Sequence, residues 1–393
     1  MIAAATFDAL LSPLGRRALA DATALSPTDS TLLSCVGRLR KSYPADLASA
    51  AVETVILRAK AAVKFTRADR MFFTREALEV ASGEVVSRYR AERFRRYETV
   101  ADLGCGIGGD SIGLTAAGVK VMAVDRDAVR VRMTAANLDA YNAGPLASVQ
   151  QSDLLTDPLP DTPAAFADPG RRADGKRFLS VHDYLPPPAE LLKRLPPGHP
   201  VGFKLAPGVP LDELTAFGGE AEFISVGGEL KECVLWLGEL RTAERRATLL
   251  HDDPTQPLSL ASDSRQAYLE PRPIAAYLYD PDPAVTRSGL TPLLAEQIDA
   301  APVDSVVQLL TRDTHQPTPF TTAYRVDAVV QADEKRVVAT LRSLDAGRVT
   351  PVNRGWPGEL PPTRRWKLGG SGHRFVILTR ELGKPVAVIG ERV

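Results

Sequence analysis

The chain has 393 residues, of which 44% are hydrophobic and 24% charged, and its formal net charge is zero. This length and composition predict a globular chain of two or three domains. Cys35, Cys105 and Cys233 are too few and too scattered for a disulfide framework or a cysteine-based zinc site, and we predict no metal. No run approaches the roughly 18 uncharged apolar residues of a membrane span, so we expect a cytoplasmic protein with no membrane partner.

Residues 1–95 carry helical patterns and are predicted to form a helical N-terminal domain. An alanine-rich stretch with alternating charge, "DLASAAVETVILRAKAAVKF", predicts one long helix. A second helix is predicted over "TREALEVASGEVVSRYRAERF", where apolar positions recur at helical spacing.

From residue 96 to 245 short β-rich runs alternate with helical ones, which predicts a Rossmann-like α/β domain with a parallel sheet and crossover helices. The strands are expected in the five runs "TVADLG", "VKVMAVD", "ASVQQSD", "AAFADPG" and "PVGFKLAPG". A Gly-Gly turn then joins two further strands in "EAEFISVGGELKECVLWLG", as an antiparallel ending to the sheet.

The remaining sequence divides into a turn-rich stretch and a last domain. Residues 246–268 are polar and predict a linker or hairpin. Residues 269–393 predict a small α+β domain with a helix in "TPLLAEQI" and β-strands in "AYRVDAVV", "RVVATLRSL", "RFVILTR" and "PVAVIG".

The zero net charge conceals basic flanks and an acidic centre. Residues 341–380 alone hold eight Lys and Arg against two Asp and Glu, with Trp356 and Trp366 among them. A basic face with interleaved aromatic rings suits a phosphate backbone and stacked bases. RNA is therefore the expected partner of the basic N- and C-terminal segments, with arginines on a solvated strand surface as the alternative. The oligomeric state is not determined by the sequence.

A glycine loop follows the first predicted strand, in "ADLGCGIGGDSIGL". The six residues from Gly104 to Gly109 satisfy a G-x-G-x-x-G pattern between a strand and a helix, which by itself also fits a dinucleotide. Gly104, Gly106 and Gly108 of this loop are predicted to bind the cofactor. Asp102, two residues earlier, would repel a pyrophosphate but can hold the cationic methionine end of S-adenosylmethionine. The pattern therefore favours the methyl donor over NAD.

Two further acids follow the next predicted strands. Asp125, at the tip of the second strand, is predicted to accept from both ribose hydroxyls. Asp153, after the third strand, is predicted to accept from the adenine amino group, and Arg126 is included in the cofactor site. The alternative for Asp102 and Asp153 is a helix or turn cap.

The stretch "DLGCGIGGDSIGLTAAGVKVMAVDRD...RMTAANLDAYN" resembles class I S-adenosylmethionine-dependent methyltransferases, and is particularly similar to the RNA cap guanine-N2 (trimethylguanosine synthase-like) group. The whole chain also resembles bacterial methyltransferases with a C-terminal THUMP-like domain. The segments "KFTRADRMFFTREALE", "ADPGRRADGKRF" and "RRWKLGGSGHRFVILTR" carry this similarity. The resemblance implies S-adenosylmethionine as cofactor and, indirectly, RNA as substrate.

The end of the fourth predicted strand identifies the candidate catalytic residues, Asp168 and Pro169. In the amine-methylating relatives this place holds an acid or amide, two prolines and an aromatic ring, and the side chain and next carbonyl accept the hydrogens of the amine. Here Gly170 replaces the second proline and Arg171 the aromatic residue. An arginine can stack on a base or grip an anion, or it can belong to a salt-bridged turn. The candidate substrate-binding residues are Arg171, Arg172, Phe178 and Lys204.

The sequence therefore predicts an S-adenosylmethionine-dependent methyltransferase that acts on RNA, at an exocyclic base amine. Two alternatives stay open: a small-molecule methyltransferase, and a donor-binding, RNA-binding protein that has lost transfer activity.

Overall fold

The computed structural model describes residues 2–170, 172–173, 176–177, 180–251, 253, 255–264, 268–356 and 363–393, with side chains for all of these except 172, 173, 176 and 177. The chain divides into two compact units. Unit 1 contains residues 1–221, 232–242 and 250–257, and unit 2 contains residues 222–231, 243–249 and 258–393. The predicted domain limits at residues 95, 245 and 268 remain a prediction.

Unit 1 holds an N-terminal group of helices and a parallel sheet. Its helices are α1 (Ala4–Leu11), α2 (Pro13–Ala24), α3 (Leu32–Leu39), α4 (Ala45–Ala61), α5 (Arg75–Val80), α6 (Glu84–Ala91), α7 (Gly109–Ala116), α8 (Ala128–Ala140), α9 (Pro188–Leu192) and α10 (Leu211–Thr215). Its strands are β1 (Thr99–Leu103), β2 (Lys120–Asp125), β3 (Ala147–Gln151), β4 (Ala164–Ala167), β5 (Arg172–Ala173), β6 (Lys176–Arg177) and β7 (Val201–Leu205). Strands β8 (Glu220–Val226) and β9 (Glu229–Leu237) cross the boundary between the units.

The order β9-β7-β4-β1-β2-β3 positions the carboxyl ends of β1, β2, β3, β4 and β7 along one edge. These five strands pair in parallel, and β9 is antiparallel to β7. The mixed α/β fold with a Rossmann-like sheet, predicted from the alternation of runs, is confirmed. In open α/β sheets the crevice outside this edge is where ligands bind.

The N-terminal helices share one hydrophobic core with the helices that follow the glycine loop. Phe7 and Leu57 belong to the same buried cluster as Ile112 of α7 and Met133 of α8. Residues 1–95 thus lie in the same compact unit as the glycine loop.

The predicted second N-terminal helix is wrong in one respect, because it is broken into α5 and α6. Ala81 has extended backbone angles at the end of α5, and the extended Gly83 precedes α6. Glycine has little helix propensity, and the backbone N–H of Glu84 donates to the Lys64 carbonyl instead of to a carbonyl of the first helix. The break between the two helices becomes part of the cavity described below.

Unit 2 is an α+β module, the class that was predicted from the helical and β-rich sequence patterns of residues 269–393. It contains β10 (Arg245–Leu250, which ends at the unit boundary), β11 (Leu258–Ser262), β12 (Tyr277–Pro281), α11 (Pro283–Arg287), α12 (Thr291–Gln297), β13 (Ala301–Pro302), β14 (Leu310–Arg312), β15 (Thr321–Gln331), α13 (Glu334–Ser343), β16 (Ala346–Asn353), β17 (Gly372–Glu381) and β18 (Lys384–Arg392). Strands β10 and β11 pair antiparallel with each other. The linker or hairpin over residues 246–268 remains a prediction. The main sheet of unit 2 has the order β13-β14-β12-β15-β18-β17-β16.

The prediction of a strand over "RVVATLRSL" is wrong, because α13 occupies it. The Asp333 side chain accepts from the backbone N–H of Arg336 and caps the helix. Val337 and Leu341 are buried while Ala339, midway between them, is exposed. In a strand all three would share one face, so this pattern has the helical period. None of the helices in the described part of the chain has the length and apolar character that a membrane span requires.

Candidate active site

A cavity of about 410 Å³ lies in unit 1, and the glycine loop and the residues that follow β2, β3 and β4 line it. Six carboxylate residues line this cavity, against two arginines: Glu76, Glu79, Asp110, Asp125, Asp153, Asp168, and Arg126 and Arg130. An excess of negative charge around a cavity favours a cationic or neutral ligand over an anion.

The glycine loop forms the floor of the cavity in a backbone conformation that needs glycine. Gly104, Gly106 and Gly108 have φ angles of +88°, +59° and +83°, which side-chain-bearing residues rarely adopt. A Cβ at Gly104 would lie 3.0 Å from the carbonyl oxygen of Asp168, whereas a Cβ at Gly106 would meet no atom within 4 Å. The loop therefore packs against the end of β4 at Gly104 and faces open space at Gly106.

Asp125, at the end of β2, is tied to the backbone around it. Its Oδ2 accepts from the Gly106 N–H at 3.0 Å and its Oδ1 from the Asp127 N–H at 2.9 Å. Burial raises the pKa of this carboxyl. Each oxygen keeps a second lone pair for a ligand in the cavity.

Asp153 and Arg126 also line the cavity. The Oδ1 of Asp153 accepts from the Leu155 N–H at 2.8 Å, so the residue does make the turn that was its alternative interpretation. It lines the cavity nonetheless, and Arg126 is exposed beside it.

Asp102 differs from the other acids because it lies beneath the loop, fully buried, and does not line the cavity. Its Oδ2 accepts from the Ser111 hydroxyl at 2.5 Å, and its Oδ1 has no hydrogen-bond partner among the described residues. Burial, with a smaller effect from the neighbouring Asp110, raises the pKa of Asp102 to about 8. Contact of Asp102 with the methionine end of the cofactor therefore remains a prediction.

The residues predicted to contact the molecule that is methylated fall into two groups. Asp168, Pro169 and Gly170 line the cavity after β4, and the Asp168 side chain is 21% exposed. Arg171 and Phe178 lie outside the described residues, and Arg172 is described only as backbone, in β5.

Lys204, a predicted substrate-binding residue, is buried rather than open to an acceptor. Only 2% of it is exposed, and its Nζ donates to Asp168 Oδ2 at 2.6 Å. The contact with Asp168 supplies the counter-charge that a buried ammonium needs. Direct contact of Lys204 with substrate remains a prediction.

The N-terminal segment supplies a wall of the cavity that was not predicted from the sequence. Residues 76, 77 and 79–82, at the break between α5 and α6, line it. Asn137 of α8 fastens this segment to the glycine loop: its Nδ2 donates to the carbonyls of Phe72 and Ile107, and its Oδ1 accepts from the Phe72 N–H. The signal available in the sequence was Ser82-Gly83, an interruption inside a helical pattern.

A buried cation on α6, Arg90, was likewise not predicted from the sequence. Arg90, almost completely buried, pairs with Asp110, and its Nη1 lies 3.2 Å from Glu232 Oε1. Its guanidinium carbon lies 4.5 Å from the Phe166 ring centroid. Arg90 offsets part of the acidic charge around the cavity, which matters because unpaired buried charges are costly.

Two curated relatives extend over most of the chain. They are uncharacterized S-adenosylmethionine-dependent methyltransferases of two strains of Mycobacterium tuberculosis, each 32% identical over 342 residues, which is 84% of this chain and 92% of the relative. The chain belongs to the S-adenosylmethionine-dependent methyltransferases.

The fold of this methyltransferase is also that of a solved structure. A candidate methyltransferase of Porphyromonas gingivalis W83, 18% identical, superimposes with a TM-score of 0.68 over 93% of this chain and 99% of its own. Residues 3–61 match the family described as domain of unknown function DUF8688. The relatives' descriptions specify neither a THUMP-like domain nor a cap guanine-N2 activity, so both remain predictions.

S-adenosylmethionine is the cofactor, and the cavity of this methyltransferase is compatible with it. The open space at Gly106 leaves room for a ligand against the loop, and the surplus of carboxylates suits a sulfonium cation. Of the residues predicted to bind the cofactor, the cavity is lined by Gly104, Gly106, Asp125, Arg126 and Asp153. Gly108 belongs to the same loop without lining the cavity, and contact of these residues with the cofactor remains a prediction.

Cofactor binding is expected to release a proton. With a pKa of about 8, Asp102 is largely protonated at pH 7 in the free protein. A nearby cation favours the carboxylate form, so S-adenosylmethionine should displace up to about one proton and bind more tightly as pH rises from 6 to 8. Calorimetry at pH 7 in two buffers of different ionisation enthalpy measures this release. Equal proton release in wild type and Asp102→Asn would contradict the assignment to Asp102.

Proposed function

We propose that this methyltransferase acts on RNA, at an exocyclic base amine held beside Asp168. The observation that carries the proposal is the acid at the end of β4: it lines the cavity together with Pro169 and is held by Lys204. The acidic lining supports a neutral amine over a phosphate or carboxylate at the point of transfer.

Methyl transfer to an amine requires few chemical groups from the protein. The bound cofactor supplies an electrophilic methyl group on a positively charged sulfur. One oxygen of Asp168 accepts from Lys204, so the other is available to accept an amine N–H, and the carbonyl oxygen of Pro169 is the second candidate acceptor. The amine lone pair forms the N–C bond as the S–C bond breaks, and the amine proton passes to Asp168 or water. Asp168 thus orients the nucleophile and stabilises the positive charge developing on nitrogen.

RNA as the partner is supported by exposed basic residues in unit 2. Arg364, Arg365 and Lys367 are exposed and, among the described residues, take part in no ion pair. They flank Trp366, which fixes this short segment.

The remainder of the basic stretch contributes less than the sequence suggested. Arg354 is paired with Asp280, and Arg374 with Asp327 and Glu391. The prediction that Trp366 offers a stacking surface is wrong, because it is buried and its Nε1 donates to Glu334 Oε1 at 2.8 Å. In the N-terminal segment Arg90 and Arg93 are likewise paired, with Asp110 and Glu220.

The test of the proposal is methyl transfer from isotopically labelled S-adenosylmethionine to total RNA, followed by mass spectrometry of the nucleosides. We expect a labelled N-methylated nucleoside in RNA incubated with wild type and not with Asp168→Asn. Label that appears only in small molecules would overturn RNA as the substrate.

A small-molecule acceptor is the second candidate, because much of the basic charge is already paired. The two candidates respond differently to salt. An RNA enzyme loses affinity steeply as salt rises, whereas a small neutral acceptor responds little.

The exposed basic residues provide a further prediction. Changing Arg364, Arg365 and Lys367 together to Ala should weaken RNA binding across sequences and lower the log–log salt slope by up to about 2, since each single-strand phosphate contact contributes about 0.7. Affinity for S-adenosylmethionine should not change. Fluorescence anisotropy with labelled RNA at several salt concentrations measures the slope.

A control with equal loss of charge is Lys335, Arg336 and Lys384 to Ala, all exposed and in unit 2. If both triple variants lower the slope equally, the effect reflects net charge and the assigned contact residues are wrong.

A further inference from the structure

We propose that Lys204 is a positioning residue that couples one wall of the cofactor cavity to Asp168. The inference deepens the proposed function, and its activity measurement rests on the assigned role of Asp168. Its structural measurement is independent of what the acceptor is.

Lys204 makes two contacts at once from the end region of β7. Its Nζ donates to Asp168 Oδ2 at 2.6 Å and to the Val80 carbonyl oxygen at 3.0 Å. With so little of the residue exposed, water is a poor substitute for either partner. One ammonium group therefore holds both the acid after β4 and the last residue of α5.

The Val80 carbonyl belongs to the wall that the sequence analysis missed. Val80, Ala81 and Ser82 line the cavity at the end of α5. The terminal carbonyls of a helix have no partner within the helix, and here two lysines supply donors. The Nζ of Lys64 donates to Leu78, Glu79 and Ala81, and that of Lys204 donates to Val80.

Lys64 and Lys204 connect this wall to different parts of the chain. The bonds from Lys64 to the carbonyls of Leu78, Glu79 and Ala81 stay within the N-terminal segment, whereas the Nζ of Lys204 also donates to Asp168. A displacement of the wall at Val80 therefore changes the position of the ammonium group against which the Asp168 carboxylate is held. In this way the state of the cofactor cavity is transmitted to the acid that faces the acceptor.

Other charged groups surround this pair on each neighbouring element. Four charged groups interact electrostatically with Asp168, Lys204 or both, directly or through one another. They are Arg90 on α6, Asp110 on α7, Asp102 on β1 and Glu232 on β9. Four carboxyl groups, including Asp168, thus face two cations, Arg90 and Lys204. Removal of Lys204 would leave the Asp168 carboxyl with one cation fewer among these groups.

Hydrogen exchange of the full-length protein, read by mass spectrometry with and without S-adenosylmethionine, tests the coupling. Lys204→Met removes both bonds at similar length, and we expect exchange at residues 80–82 to be at least tenfold faster. Asp168→Ala should also accelerate exchange there, because it leaves the ammonium without its counter-charge. The double variant should exchange no faster than Lys204→Met alone.

Two results would overturn the coupling. If Asp168→Ala leaves exchange at residues 80–82 unchanged, Lys204 supports the wall alone. If the effects of the two single changes add fully, the residues act independently. Lys193→Met, which removes an exposed lysine paired with Glu190, is the matched control and should change neither exchange nor activity.

Activity provides the second measurement, with total RNA and labelled S-adenosylmethionine as the probes. Lys204→Met should lower kcat at least tenfold with KM for the cofactor within a few-fold. Lys204→Arg keeps a cation and several donors and should restore both the protection and part of the activity. An unchanged kcat in a folded Lys204→Met enzyme, or a loss confined to KM for the cofactor, contradicts the positioning role. Absence of transfer by wild type contradicts RNA as the substrate and leaves the exchange result to decide the coupling.

Discussion

Replacing Asp168 by Asn is expected to lower methyl transfer by about 10²-fold. Asn keeps the size of the side chain and one accepting oxygen for Lys204, but it removes the negative charge beside the developing positive charge on the amine. Removal of one preorganised electrostatic group costs about 10²–10³ in kcat in well-studied enzymes. Single-turnover transfer of label from S-adenosylmethionine measures the effect.

Two further measurements separate this effect from folding and cofactor binding. Affinity for S-adenosylmethionine should stay within a few-fold of wild type, whereas the thermal midpoint should fall, because Lys204 is left buried without a full counter-charge. Asp161→Asn, at an exposed acid before β4, is the control and should change none of these quantities. Full turnover by a folded Asp168→Asn enzyme would show that the acid after β4 is a structural residue.

Replacing Asp125 by Ala is expected to weaken binding of S-adenosylmethionine at least tenfold. The predicted role of this carboxylate is to accept from two ribose hydroxyls, and a hydrogen bond to a charged group contributes roughly 1.5–3 kcal/mol. The change also removes the acceptor that holds the Gly106 N–H. Calorimetric titration with the cofactor measures the loss.

Asp125→Asn is the informative companion variant, since it retains one accepting oxygen and should bind with intermediate affinity. The thermal midpoint without cofactor shows how much of the effect comes from the loosened loop. Unchanged affinity in Asp125→Ala, or tighter binding of NAD than of S-adenosylmethionine by wild type, would contradict the cofactor site.

The sheet and its edge could be predicted from sequence because the relevant signals are local. Short apolar runs alternate with helical ones, and in a parallel sheet the ends of such runs meet at one edge. Asp125, Asp153 and Asp168 each follow a strand, and all three line the cavity. A strand-end position is therefore sufficient to bring residues far apart in the sequence to one place.

The burial of a side chain and the identity of its hydrogen-bond partner could not be predicted in the same way. Asp102 also stands at a strand end, yet β1 lies between β4 and β2 and its acid is covered by the loop and α7. Lys204 resembled a pocket residue because its partner, Asp168, is distant in sequence. The wall at residues 76–82 was hidden because a break in one helix looks much like the continuation of it when only periodicity is read.

The contacts of Asn137 bear on how such a protein can change during evolution. Through this one amide, the shape of the glycine loop depends on Phe72, a residue outside the strands and helices that carry the family motif. A core inherited without the N-terminal segment would keep every letter of the motif and lose an anchor of its loop. The N-terminal segment therefore cannot be replaced freely. A homologous sequence with a different segment would need to keep the backbone position of Phe72 or supply other hydrogen-bond partners for Asn137.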